Sequence, residues 1–248
     1  MKKLLIAGVL LLPLLPFVVD AAEDTVPLQS ANIDLKDKAS LQRGAKYFTN
    51  YCIGCHSLQY MRYSRMAEDL GIPTDELQQN LIFGDAKPAD HMTNAMRPDD
   101  GETWFGTKVP DLTLVTRWRR PDWVYTYLKS FYLDDTRPYG VNNLVFPKVG
   151  MPHALVNLQG IQKPVYEHED DGKEHGEPHV MGVELVQPGE LTPKEYDNMV
   201  RDITNFLTYV GEPIKLERRS LGLYVLLFLG LLFLVSYYLK KEFWKDVH

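Results

Sequence analysis

Cysteine is nearly absent from this chain: Cys52 and Cys55 are the only two in 248 residues, three positions apart. A pair so close leaves nothing from which to build a structural disulfide framework, so whatever the two thiols do, they do together. An excess of positive charge is also lacking. The chain carries 27 Lys and Arg against 33 Asp and Glu, a formal charge of -6. That excludes the basic face that binding to a phosphate backbone requires, and no nucleic acid is expected as a partner. Alternation of strand and helix patterns, internal repeats and low-complexity tracts are missing too, which points away from βαβ architectures.

Two long apolar runs are present. The first follows Met1-Lys2-Lys3, covers residues 4–19, and is broken by Pro13 and Pro16 ahead of the small residues Ala21 and Ala22. A short positive segment, an apolar stretch and a small-residue cleavage site describe a secretory signal peptide over 1–22. Its 16 apolar residues with two prolines fall short of the ~20 needed to span a bilayer. The second run, 221–239, has no charge in 19 residues, is flanked by Arg218-Arg219 and Lys240-Lys241, and has Tyr237, Tyr238 and Trp244 where an interfacial aromatic belt would lie. It predicts one transmembrane helix over 220–240 and a short tail over 241–248. Lys215, Arg218 and Arg219 on one side balance Lys240, Lys241 and Lys245 on the other. Export by the signal peptide therefore sets the orientation, with residues 23–219 outside the cytoplasm and the tail inside. The exported part has 22 basic against 30 acidic residues, a charge near -8.

Within the exported part, residues 23–39 read as an extended lead-in, and Ser40 as the cap of a helix from Leu41 that runs into Cys52. Gly44 inside that helix costs about 1 kcal/mol against alanine, which suggests a close helix–helix crossing. A second helical stretch is expected over 57–70, loops with short helices over 71–110, and a helix over 121–133 with Pro121 at its first position. Residues 134–190 read mostly as loop, with strand around 180–186. Thr192, Pro193 and Glu195 form a capping box with proline at the first helical position. They open a helix whose apolar side is Tyr196, Met199, Val200, Ile203, Phe206, Leu207 and Val210, closed by Gly211 and Pro213. A mainly helical, loop-rich domain of this size needs something large and apolar to fold around.

Cys52-Ile53-Gly54-Cys55-His56 is the haem-attachment signature C-x-x-C-H. Thiols three positions apart near a helix end reach the two vinyl groups of one porphyrin edge, and His56 then lies under the iron. A thioredoxin-like dithiol needs a βαβ setting. A zinc site wants four ligands, for which His91, His153, His168, His175 and His179 are the available histidines. The second axial ligand is open: Met61, Met66, Met92, Met96, Met151, Met181 and Met199 are candidates, with His153 in competition. Met199 sits on a core-facing helix side, whereas Met151 stands in the irregular loop Val149-Gly150-Met151-Pro152, which can approach the far haem face.

A wider set of residues carries a resemblance. Arg43-Gly44, the C-x-x-C-H motif followed by Ser57-Leu58, Pro110-Asp111-Leu112 with Arg117 and Arg119, Phe146-Pro147, Gly150-Met151-Pro152 and the C-terminal anchor occur in order across nearly the whole mature chain. Together they resemble the cytochrome c1 family, the haem subunits of quinol:cytochrome c oxidoreductases. The fold this resemblance implies is mainly α: a class I cytochrome c-like haem domain with long loops plus one C-terminal transmembrane helix, its first and last helices crossing. It further implies one covalent haem c on Cys52 and Cys55, with His56 and Met151 as axial ligands. Pro110 and Phe146 are then expected against the haem and Arg119 near a propionate. Trp123 is the nearest match to a tyrosine that family members often carry near the propionates. The partners implied are cytochrome b, a Rieske iron–sulfur protein, and a soluble or membrane-tethered cytochrome c as acceptor. The location implied is the bacterial inner membrane, crossed once, with the haem domain in the periplasm. The chain would be no enzyme by itself. The acidic, histidine-bearing stretch 167–177 reads as a solvated loop or as a collar that steers a basic partner.

Overall fold

A computed structural model describes residues 26–166 and 180–246. The signal peptide expected over 1–22 and the acidic stretch 167–177, with His168, His175 and His179, lie outside the described residues. The helices are α1 (Lys38–Tyr51), α2 (Tyr63–Leu70), α3 (Thr74–Asn80), α4 (Pro98–Phe105), α5 (Val115–Trp118), α6 (Pro121–Lys129), α7 (Val156–Gln159), α8 (Pro193–Gly211) and α9 (Lys215–Phe243). Between them run β1 (Leu58–Arg62), β2 (His91–Met92), β3 (Phe131–Leu133), β4 (Val141–Asn143), β5 (Gly160–Tyr166) and β6 (Val180–Pro188). Among the described residues the strands form three separate two-stranded antiparallel sheets, β1–β2, β3–β4 and β5–β6.

The organising contact is α1 against α8. A Cβ added to Gly44 would lie 2.6 Å from Phe206 Cβ and would overlap the Asp202 carbonyl, so the two backbones touch directly. Phe48 meets Phe206 at a ring-centroid distance of 5.8 Å one turn further on. Beside the crossing, Asp202 is buried yet fully engaged. It accepts from Ser40 Oγ at 2.7 Å, Arg43 Nε at 2.6 Å and Arg43 Nη2 at 3.0 Å. A buried carboxylate without such donors would be strongly destabilising. Asn205 Nδ2 joins the cluster, donating to Ser40 Oγ at 3.0 Å and to the Asp34 carbonyl at 2.8 Å. Helices α5 and α6 pack on the other side of α8, where Thr116 Oγ1 donates to Leu207 O at 3.2 Å and Tyr196 OH to Leu128 O at 2.7 Å.

Three local expectations need correction. Ser40 does not cap α1: the helix begins at Lys38, Asp37 caps it by accepting from Ser40 N, and the Ser40 hydroxyl is spent on Asp202. The expected helix over 57–70 begins only at Tyr63. Its first part is strand β1, because the backbone groups there bond sideways, Leu112 N to Ser57 O at 2.9 Å and Gln59 N to Asp111 Oδ2 at 2.7 Å. The helix expected over 121–133 stops at Lys129. Its terminal carbonyls are taken by side-chain amides from far along the chain, Asn143 Nδ2 on Tyr127 O and both Gln159 and Gln162 Nε2 on Lys129 O, and β3 follows. The capping box of α8 forms as read, with Thr192 and Glu195 bonded reciprocally and Pro193 in the first turn.

Helix α9 is 29 residues long, about 43 Å at 1.5 Å per residue, longer than the ~30 Å of a bilayer's hydrocarbon. Its apolar window is not buried against the rest of the chain, and by length and composition it can cross a membrane.

Gly44→Ala should destabilise the haem-loaded protein by about 3 kcal/mol, because overpacked backbones must separate. Gly182→Ala, where the added carbon meets open space, should change stability by less than about 0.5 kcal/mol. Urea unfolding of the two variants measures both.

Candidate haem site

Helix α1 delivers the attachment motif. Cys52 is its C-cap, and the chain turns at once, with Cys55 N and His56 N both bonded to Cys52 O at 3.1 and 2.8 Å. The cysteines are not joined to each other. Burial first, and the neighbouring Cys55 second, push the Cys52 thiol up to about 12. An attacking cysteine of a thiol oxidoreductase needs the opposite, a thiolate at ambient pH. The dithiol alternative also wanted a βαβ setting, and all sheets among the described residues are antiparallel pairs. Among the described residues no cluster of three or more metal-binding side chains is present, and His168, His175 and His179 lie outside those residues.

His56 is buried, and its Nδ1 lies 2.8 Å from the Pro110 carbonyl. A carbonyl only accepts, so Nδ1 carries the proton and Nε2 carries the lone pair. Burial lowers the His56 pKa, opposed by the Pro110 bond and by Asp111, which favours the neutral imidazole that ligates metals. The Pro110 segment is itself anchored beside the motif. Asp111 accepts from Gln59 N at 2.7 Å and Thr113 N at 2.9 Å, and Leu112 N bonds Ser57 O. Asn94, which sequence reasoning did not single out, donates through Nδ2 to the Cys55 carbonyl and accepts nothing from that turn, while its own N–H bonds Ser57 Oγ at 2.9 Å. No motif signals Asn94; only β1–β2 pairing brings it there.

The methionine candidates separate by burial. Met61, Met66, Met92 and Met199 are packed in the core, Met181 is exposed on β6, and Met96 is partly buried, as Met151 is. Met151 lies in an aromatic corner, with its Sδ 3.3 Å from Tyr127 OH. Tyr127 stacks on Trp123 and meets Phe131 edge-on, and Phe131 stacks on His153 at 4.7 Å. His153 Nε2 is buried and without a partner among the described residues.

Arg119 and Phe146 come together with Trp123. The Arg119 guanidinium lies 4.0 Å from the Trp118 ring centroid, 4.8 Å from Trp123 and 5.7 Å from Phe146, and Trp123 and Phe146 meet edge-on. The adjoining Arg120 holds φ 71° and ψ 152°, a region that costs a non-glycine residue of order 1–3 kcal/mol. That strained turn is what lets Arg119 fold back over the start of α6. A cavity of about 580 Å³ beside Ser40, Arg43 and Asp202 contains none of these site residues.

These residues fit a covalently held haem: two unpaired thiols one turn apart, a buried neutral histidine with its free nitrogen set by a backbone carbonyl, a thioether sulfur in an aromatic corner, and a guanidinium over exposed rings. The fold and this set of side chains define a c-type cytochrome carried on one apolar helix. A profile described as the Cytochrome C1 family matches residues 30–247. A cytochrome c1 of Allochromatium vinosum is 66% identical over 250 residues, spanning all of both chains. A protein named ammonia monooxygenase gamma subunit, from Nitrosomonas europaea, is 43% identical over all of this chain and 99% of its own. A cytochrome c1 of Rhodobacter capsulatus is 24% identical over 84% of this chain and 83% of its own. The chain belongs to the cytochrome c1 family; it carries one covalently bound c-type haem and serves respiratory electron transport.

Asp111→Ala removes two backbone partners and should lower stability by about 1–2 kcal/mol, with the haem still attached. Asp111→Asn, which keeps an acceptor oxygen, should recover part of that loss in the same unfolding measurement.

Proposed function

We propose that this chain is the haem subunit of a cytochrome bc1 complex, taking single electrons from a Rieske iron–sulfur protein and passing them to a soluble or membrane-tethered cytochrome c, with cytochrome b as its neighbour. The observation that carries the proposal is full-length identity of 66% to a cytochrome c1 on a fold with one attachment motif. Bound haem supplies one-electron redox chemistry at its iron. Cys52 and Cys55 hold it by thioether bonds, so retention does not depend on affinity. His56, oriented by the Pro110 carbonyl, would offer Nε2 to the iron, and Met151 would offer its sulfur. A His/Met pair favours a raised potential. Arg119, framed by Trp123 and Phe146, meets a propionate, for which a planar, permanently charged guanidinium is suited. The chain makes and breaks no substrate bond itself; quinol oxidation belongs to the partner subunits.

In this reading the signal peptide is removed, α9 crosses the bacterial inner membrane once, the haem domain stands in the periplasm and the C-terminus in the cytoplasm. The acidic exported body attracts a basic cytochrome c and raises the rate of encounter. A second reading, haem subunit of a different membrane oxidoreductase, is favoured by one observation, the 43% identity to a protein named ammonia monooxygenase gamma subunit.

Purification of the full chain from detergent-solubilised membranes separates the two. Cytochrome b and a Rieske protein should co-purify, and removal of the Rieske protein should abolish quinol-driven haem reduction; recovery with another oxidoreductase instead would overturn the first reading. Met151→Leu should keep the haem attached while the sulfur-to-iron absorption disappears and the potential falls. Cys52→Ala should leave a single thioether through Cys55 and a smaller fraction of chains carrying haem, read by intact mass.

A further inference from the structure

Tyr127 sits on α6 one turn beyond Trp123, with its phenol oxygen 3.3 Å from Met151 Sδ. The sulfur has lone pairs and no hydrogen, so the hydroxyl donates. That hydroxyl makes no other hydrogen bond among the described residues. The ring is fixed on two sides, stacked on Trp123 at 5.0 Å and 12° and edge-on to Phe131 at 5.1 Å and 70°. Its backbone is fixed as well, since Asn143 Nδ2 donates to Tyr127 O at 2.8 Å. The Met151 loop is secured independently. Arg137 Nη2 donates to the Lys148 and Val149 carbonyls at 2.9 and 3.3 Å, and Lys148 N bonds Asn142 Oδ1 at 2.8 Å. A Cβ on Gly150 would lie 3.1 Å from the Phe105 carbonyl. Two rigid supports therefore converge on one sulfur, and among the described residues the hydrogen bond to it comes from the Tyr127 hydroxyl.

We infer that Tyr127 is a positioning residue for the sixth haem ligand: its hydroxyl engages one lone pair of the Met151 sulfur and leaves the other for the iron. The inference rests on Met151 being that ligand. Two consequences follow from the chemistry. A hydrogen bond accepted by the sulfur withdraws electron density and weakens its donation to ferric more than to ferrous iron, which raises the potential. The same bond restricts a flexible side chain with several rotamers, so less freedom is lost on ligation and an external ligand displaces the sulfur less readily.

The test uses the full-chain haem-loaded protein and Tyr127→Phe, which keeps the ring and removes only the hydroxyl. Expected are an attached haem, a midpoint potential shifted downward and a several-fold tighter binding of imidazole to the ferric protein. In a Met151→Leu background the same change should shift the potential no further, because the coupling runs through the sulfur. A potential and an imidazole affinity equal to the parent's would overturn the inference, as would a full shift persisting in the Met151→Leu background. Met151→Leu alone reads the underlying assignment separately: if it keeps the sulfur-to-iron absorption, Met151 is not the ligand and the role of Tyr127 falls with it.

Discussion

The contact between the backbones of α1 and α8 at Gly44 constrains everything downstream of it. A helix surface without a side chain lets α1 lie directly on the Asp202 carbonyl, and this fixes where α1 ends. Cys52 is the residue at that end, so the position of the attachment turn is set by a crossing two turns earlier. Rotation about the crossing is opposed by Phe48 on Phe206 and by the Ser40, Arg43 and Asn205 cluster around the buried Asp202. Such a carboxylate contributes less to net stability than to uniqueness, since any other register would leave it buried without donors.

The candidate site is assembled from segments far apart in the chain, and each is held by groups other than the candidate haem contacts. Pro110 reaches His56 because Asp111 and Leu112 are tied to β1. Met151 reaches its corner because Arg137, Asn142 and Gly150 hold the loop. Arg119 reaches Trp123 through a strained turn at Arg120. In the proposed assignment, ligands whose supports are already ordered would need little rearrangement when the iron changes oxidation state, which is what electron transfer requires of a protein.

Much of this was legible in the residues. The capping box at Thr192, the apolar side of α8, the close crossing at Gly44 and the apolar C-terminal helix were each readable because they rest on short-range patterns of 3.6-residue periodicity, capping chemistry and length. The misreadings share one cause. Residues 57–62 have a sequence compatible with helix, yet their backbone bonds are drawn sideways by Asp111 and Leu112. Residues 130–133 continue an apolar helical pattern, yet amides at 143, 159 and 162 claim the last carbonyls of α6. Ser40 is a good cap by type, yet Asp202, 162 positions away, takes its hydroxyl.

By itself the sequence determined the chemistry available: two thiols and a histidine at attachment spacing, an acidic body, and an apolar segment long enough to cross a bilayer. These are properties of composition and local spacing, and they need no knowledge of what lies nearby. Only the tertiary structure decided which carbonyl orients His56, that Asn94 holds the attachment turn, that four of the seven described methionines are core, and that a tyrosine stands over the sulfur of Met151. Those are contacts between residues tens of positions apart, created when the chain closes on itself, and no local pattern encodes them.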